Sequence, residues 1–363
     1  MAIDFVPVHL YSSIYYYILL VAVVLTFMHS QTQQLGSGRN FTFSKYSGIF
    51  LLIFMLLYMG LRPIHGVFVD MQTYAYIFER YKDGESGMSA QDPLFSSYMM
   101  FSSKIMSAQS FFLLSTLLYV VPLYIISKKW FQAYWFYAFL FLVGSFSFWA
   151  YGVNGIRNGI AGSIFLLGVS RDRRIFQALW ILIAIGFHYS LLLPTIGFLL
   201  ANIYNQPKRF IIFWIICIPI SLIANRYWNS FFAGLSFISD ERFGNYLTDT
   251  SYMGSFRRTG FRWDFLLYSS TAVLAGWYYI IKKQYKDKLY FYLFNTYLFA
   301  NAFWILVIRA SFSNRFAYLS WFMMAIIIVY PLLKERIFFN QHKKLGLILL
   351  FYFGFTFIMG VVI

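Results

Sequence analysis

Charge is scarce in this sequence: 12% of its 363 residues are charged, against 60% hydrophobic and 23% aromatic. No soluble domain of this length keeps so much apolar surface in water, so the surrounding solvent is lipid. Cysteine is nearly missing as well. The single one, Cys217, sits in the apolar run IIFWIICIPI and has no partner for a disulfide or a thiolate metal site. Acidic residues are few, 13 against 29 Lys and Arg, for a net charge of +16. These cations are scattered between apolar runs and form no tract on a polar domain, so nucleic acid is not the expected partner. HExxH, paired histidine ligands, GxxxxGK[ST] and the Rossmann glycine fingerprint are all absent, and Asp240 with Glu241 is too sparse an acid pair to hold an ion. No metal and no cofactor are therefore expected.

What is present is a succession of apolar runs, near 11–29, 46–62, 110–127, 133–151, 156–170, 210–227, 264–281, 288–308, 316–333 and 345–362. The first lacks a preceding basic region and a following small-residue cleavage site, so it is expected to be a retained span. Residues 175–204 are apolar throughout except around His188, Tyr189 and Ser190. As one helix they would reach about 45 Å, well beyond a hydrocarbon core about 30 Å thick. Two crossings with His188 at the turn fit better. The expectation is an all-α polytopic integral membrane protein, one transmembrane domain over residues 1–363 with about 12 transmembrane helices and no repeat or low-complexity tract.

Orientation follows from the cations, because Lys and Arg concentrate in short cytoplasmic loops. With twelve spans and an external N-terminus, the cytoplasmic segments hold 11 of 13 lysines, whereas 10 of 16 arginines fall outside them. Arginine offers a planar fork of donors suited to phosphate, so its external excess at span ends points to an anionic phosphate ligand. Long loops are partly exempt from the charge rule, which covers Arg80, Arg226 and Arg242. It does not cover Arg157, Arg309 and Arg315, beside short external turns.

Two longer external loops are expected, about 63–109 and 229–263. In the first, Asp70 precedes Met71, Tyr74, Phe78 and Tyr81 at helical spacing, and Asp92 followed by Pro93 reads as a helix start. Both segments are expected to be short amphipathic helices, the second lying along the membrane surface with Leu94, Phe95, Tyr98, Met99 and Met106 on its apolar face. The second loop carries Arg257, Arg258 and Arg262 among aromatics and is expected to cover a site near the membrane surface.

This arrangement collects Arg62, Asp70, Arg157, His188, Arg309 and Arg315 at one side of the membrane. Taken singly each has a structural explanation: a helix cap for Asp70, a snorkelling anchor for Arg62, a hydrogen-bonded turn residue for His188. Arg309 and Arg315 could pair with loop acids, and small residues beside Arg157 permit close helix approach. Together they resemble a site that could hold a departing diphosphate with arginines and take a hydroxyl proton with Asp70 or His188. Tyr74, Tyr151 and Ser190 lie in the same stretches as possible substrate contacts.

The segments LRPIHGVFVDMQTYAYIF, DPLF, GIRNGIAGSIFLLG, ALWILIAIGFHYSLLL and SNRFAYLSWF, in that order, resemble the EpsG-like branch of Wzy-type polysaccharide polymerases. The specific parts are Arg62 with Asp70 and Tyr74, Arg157 with Ala161, and His188 with Ser190; Asn158 departs from the glutamine more usual after the arginine. The resemblance implies a membrane glycosyltransferase that polymerises O-antigen, capsule or exopolysaccharide repeat units carried on undecaprenyl diphosphate. It would act at the outer face of the bacterial inner membrane, with the lipid bilayer and a chain-length regulator as further partners. In that reading Arg157, Arg309 and Arg315, assisted by Arg62, hold the diphosphate. A flippase for the same lipids would need a cationic cavity open to both faces, which the outward bias of the arginines disfavours, and an O-acyltransferase using His188 would need a cytoplasmic donor, which the expected external location of His188 disfavours.

Overall fold

A backbone surrounded by lipid must satisfy its own N–H and C=O groups, and this chain does so by helix. The computed structural model describes residues 3–85, 92–233, 260–310 and 313–362, and no strand occurs among them. In chain order the helices are α1 (Tyr11–Thr32), α2 (Gly38–Gly60), α3 (Asp70–Lys82), α4 (Pro93–Ile105), α5 (Ala108–Phe131), α6 (Trp135–Val143), α7 (Phe146–Val153), α8 (Ile156–Val169) and α9 (Arg174–Phe187). They continue with α10 (Leu192–Ile203), α11 (Pro207–Ala233), α12 (Trp263–Trp277), α13 (Lys288–Leu306), α14 (Ser313–Lys334) and α15 (Gln341–Phe357). The chain forms two compact units, Met1–His188 with Leu332–Ile363, and Tyr189–Pro331.

Among the described residues, seven helical segments are long and apolar enough to cross a membrane, against the expectation of about twelve spans. Three others, Ile156–Val169, Arg174–Phe187 and Tyr189–Ile203, are apolar but shorter. At 14 residues α8 and α9 each extend only about 21 Å, less than the ~30 Å hydrocarbon core. The run 133–151, expected as one span, breaks into α6 and α7. Gly144 ends α6 and Ser145 turns to an extended conformation (φ −72°, ψ 146°). All nine residues of α6 are buried, so the interruption is enclosed by protein, the condition under which non-helical backbone is tolerated at membrane depth. The long run 175–204 does break at His188, whose backbone is extended (φ −160°, ψ 119°).

In the first unit α1 packs on α15, α5 on α2 and α8, α8 on α9, and α3 on α4. Tyr11 and Tyr58 join α1 to α2: their rings stack at 4.2 Å and each hydroxyl donates to the other's carbonyl oxygen at 2.8 Å. The amphipathic reading of α3 holds residue by residue, for Met71, Tyr74, Phe78 and Tyr81 are its buried positions. On α4 the buried face is Phe95, Met99, Ser102 and Ser103, while Phe101 and Ile105 are exposed.

The second unit is held by a buried polar network as well as by packing. Asn301 of α13 accepts from Trp214 Nε1 at 2.8 Å and donates to Ser269 Oγ at 3.2 Å and Ser320 Oγ at 2.9 Å. Trp321 Nε1 also donates to Ser269 Oγ, at 2.7 Å. Four helices thereby share one set of hydrogen bonds, the kind of contact that supplements van der Waals packing where lipid removes the hydrophobic drive between helices.

Candidate active site

The site in the first unit begins with glycines. A Cβ on Gly159 would lie 2.7 Å from the carbonyl oxygen of Tyr151, so α7 and α8 can approach this closely only without a side chain there. Tyr151 itself is buried. That approach fixes the first turn of α8, which contains Arg157. A cation at this position faces the positive end of the helix dipole and needs an anion nearby.

Asp92 supplies it. One carboxylate oxygen accepts from Arg157 Nη1 at 2.5 Å, and the other faces His188 Nδ1 at 3.0 Å. Asp92 is 2% exposed. It stands immediately before Pro93, the first residue of α4, yet its side chain makes no capping hydrogen bond there. The carboxylate has turned inward, away from the helix it was expected to cap. A buried carboxylate is costly unless paired and hydrogen-bonded, and here a guanidinium and an imidazole meet that need.

Arg157 also donates from Nε to the Tyr74 hydroxyl at 3.2 Å. Burial pushes the Tyr74 phenol above its ordinary range, with Arg157 opposing the shift in part, so it stays a neutral partner. Asp70 lies one turn before Tyr74. Its structural alternative is a helix cap, but Val69 holds the N-cap position (φ 43°) and Asp70 is the first helical residue, its N–H donating to Asn154 Oδ1 at 3.0 Å. No described residue hydrogen-bonds to the Asp70 carboxylate.

Arg62 occupies a scaffold position. It is fully buried, Nη1 donating to the Met59 carbonyl at 2.5 Å and Nη2 to Val153 O at 3.4 Å, with the guanidinium 5.9 Å from the ring centre of Phe68 and 5.6 Å from that of Phe112. Burial lowers its guanidinium to about 10, which still leaves it cationic at neutral pH. Gln109 Nε2 donates to the carbonyls of Arg62 and Gly60 at 3.0 and 3.3 Å. Arg62 therefore ties the end of α2 to the end of α7, one residue before Asn154, and presents no open face to a phosphate.

Arg262, Arg309 and Arg315 belong to the second unit. Arg262 forms a two-pronged pair with Asp264, at 2.9 and 2.7 Å, and lies 3.5 Å from the ring centre of Phe265. Arg262 and Arg315 both act electrostatically on the Tyr318 hydroxyl, which accepts from Asn314 at 3.3 Å. Arg309 is exposed and lies 5.9 Å from the Phe261 ring centre. Ser190, in the single turn Tyr189–Leu191, is half-buried in the same unit. Arg257 and Arg258 fall outside the described residues.

Fold and site define a polytopic all-α membrane protein in which a buried carboxylate joins an arginine and a histidine from separate helices. The chain belongs to the EpsG family, whose sequence model matches residues 45–363, a span containing all of these side chains. That family is associated with Wzy-like polysaccharide polymerases. No curated protein and no solved structure matched the chain.

Proposed function

We propose that this protein is a metal-independent polysaccharide polymerase of the bacterial inner membrane, working on its outer face with undecaprenyl-diphosphate-linked repeat units. A hydroxyl of the acceptor unit attacks the anomeric carbon of the donor glycan. The bond from that carbon to the diphosphate oxygen breaks and the leaving lipid diphosphate keeps the electron pair. The hydroxyl proton passes to a base in the first unit, Asp70 or His188, and from there to solvent or to the leaving group. Arginine provides the positive charge that stabilises the leaving diphosphate, and Arg157 is the assigned group in the first unit.

The observation that carries this reading is the cluster of Arg157, Asp92 and His188, a charge-balanced acid–base group at helix ends in a member of a polymerase-type family. Ionisable groups at such positions in membrane proteins are expensive and commonly functional. Purified protein given a lipid-linked repeat unit is expected to yield a ladder of longer glycans and one free undecaprenyl diphosphate per bond formed. Unchanged repeat unit would refute the proposal.

A further inference from the structure

We infer that His188, not Asp70, is the base, and that Asp92 is the positioning residue that presents its Nε2 atom to the acceptor hydroxyl. The inference rests on the polymerase reading above and adds to it the identity of the reacting nitrogen.

Arg157 places a full positive charge against one oxygen of Asp92 at 2.5 Å, which favours the ionised form, and an ionised carboxylate only accepts hydrogen bonds. Its second oxygen lies 3.0 Å from His188 Nδ1, so that nitrogen must carry the hydrogen. In the neutral ring the lone pair is then on Nε2. No described residue hydrogen-bonds to Nε2, and the ring is not sealed off, its side chain being 15% exposed. A histidine with Nδ1 locked by a buried anion and Nε2 open has the geometry for removing a proton. The anion also stabilises the imidazolium that forms as the acceptor O–H bond breaks and the glycosidic bond is made.

Asp70 lacks this arrangement. It is half-buried, and the one hydrogen bond that fixes its place comes from its backbone N–H to Asn154. The three members of the cluster come from different elements: Asp92 ahead of α4, Arg157 in the first turn of α8 and His188 at the end of α9. Leu94 of α4 packs where a Cβ on Gly186 of α9 would stand, so the approach of α4 to α9 that brings Asp92 to the ring depends on that glycine.

The test pairs a spectroscopic readout with an activity readout on the full-length protein. Histidine-labelled wild-type protein is examined by 15N NMR, the His188 signal being assigned by its loss in His188→Gln, at a pH where the ring is neutral. The expected result is the Nδ1–H tautomer; a predominant Nε2–H tautomer would overturn the inference. No substrate is needed, so this outcome is separate from whether the protein polymerises anything. With a lipid-linked repeat unit, His188→Ala is expected to lose about 10²–10⁴-fold in rate, the usual contribution of general base catalysis. Asp92→Asn should lose a comparable factor with the lipid substrate's KM little changed, and Asp92→Glu should recover part of it. Full activity in Asp92→Asn, or an Asp70→Asn loss equal to that of His188→Ala, would contradict the assignment. Should Asp92→Asn fail to accumulate, the wild-type tautomer decides. Absence of polymer from wild-type protein would instead refute the polymerase reading and leave the tautomer result standing.

Discussion

At the scale of single residues, the difference between Arg157 and Arg62 matters most, since the same side chain type does two jobs. Arg157 uses separate nitrogens for Tyr74 and Asp92, a fork that a lysine ammonium cannot reproduce. Arg157→Lys should therefore lower polymer synthesis about 10–100-fold at equal protein abundance, the kinetic equivalent of one charge-assisted hydrogen bond of about 1.5–3 kcal/mol. Arg62→Ala should act on stability, since it leaves the carbonyls of Met59 and Val153 unpartnered at about 1–3 kcal/mol each; thermal unfolding in detergent is the check. Sequence reasoning could find Arg157 and His188 because each breaks an apolar run. It could not find Asp92. An aspartate before a proline at a helix start has a sufficient local explanation, and its real partners lie 65 and 96 residues away. It could not separate Arg62 from Arg157 either, because only tertiary packing decides which guanidinium is enclosed by carbonyls.

At the scale of elements, short helices do the positioning. Apolar runs mark most helices of this chain, since lipid allows little else. Where a run continues through Gly144 and Ser145, hydropathy carries no sign of the break between α6 and α7; backbone conformation does. The glycines near Arg157 were legible as a means of close approach, and Gly159 shows what approaches, the backbone of Tyr151. Gly159→Ala should therefore cost about 1–3 kcal/mol by overpacking and should reduce activity by moving Arg157. Gly152→Ala meets the flexible Met59 side chain and should be milder. Comparing the melting temperatures of the two variants tests the difference. Equal destabilisation would mean that Tyr151 can move and that α7 does not fix the first turn of α8.

At the scale of the whole molecule, two features can be probed independently: the buried network of the second unit and the sidedness of the break after α9. Asn301→Leu removes three interhelical hydrogen bonds, each worth about 0.6 kcal/mol on average in membrane proteins, so a loss of about 2 kcal/mol is expected in thermal unfolding. The lysine distribution among short loops predicts that residues near 188–190 face outward. Ser190→Cys, in a Cys217→Ser background, should react with an impermeant thiol reagent added to intact cells; labelling only after lysis would place this turn on the cytoplasmic side. The most direct measurement of the central claim is glycan extension by protein reconstituted in vesicles, with wild type, Arg157→Ala and His188→Ala at matched abundance. Extension by wild type and none above background by either variant is the expected result; a full-length ladder from both variants would show that the chemistry lies elsewhere.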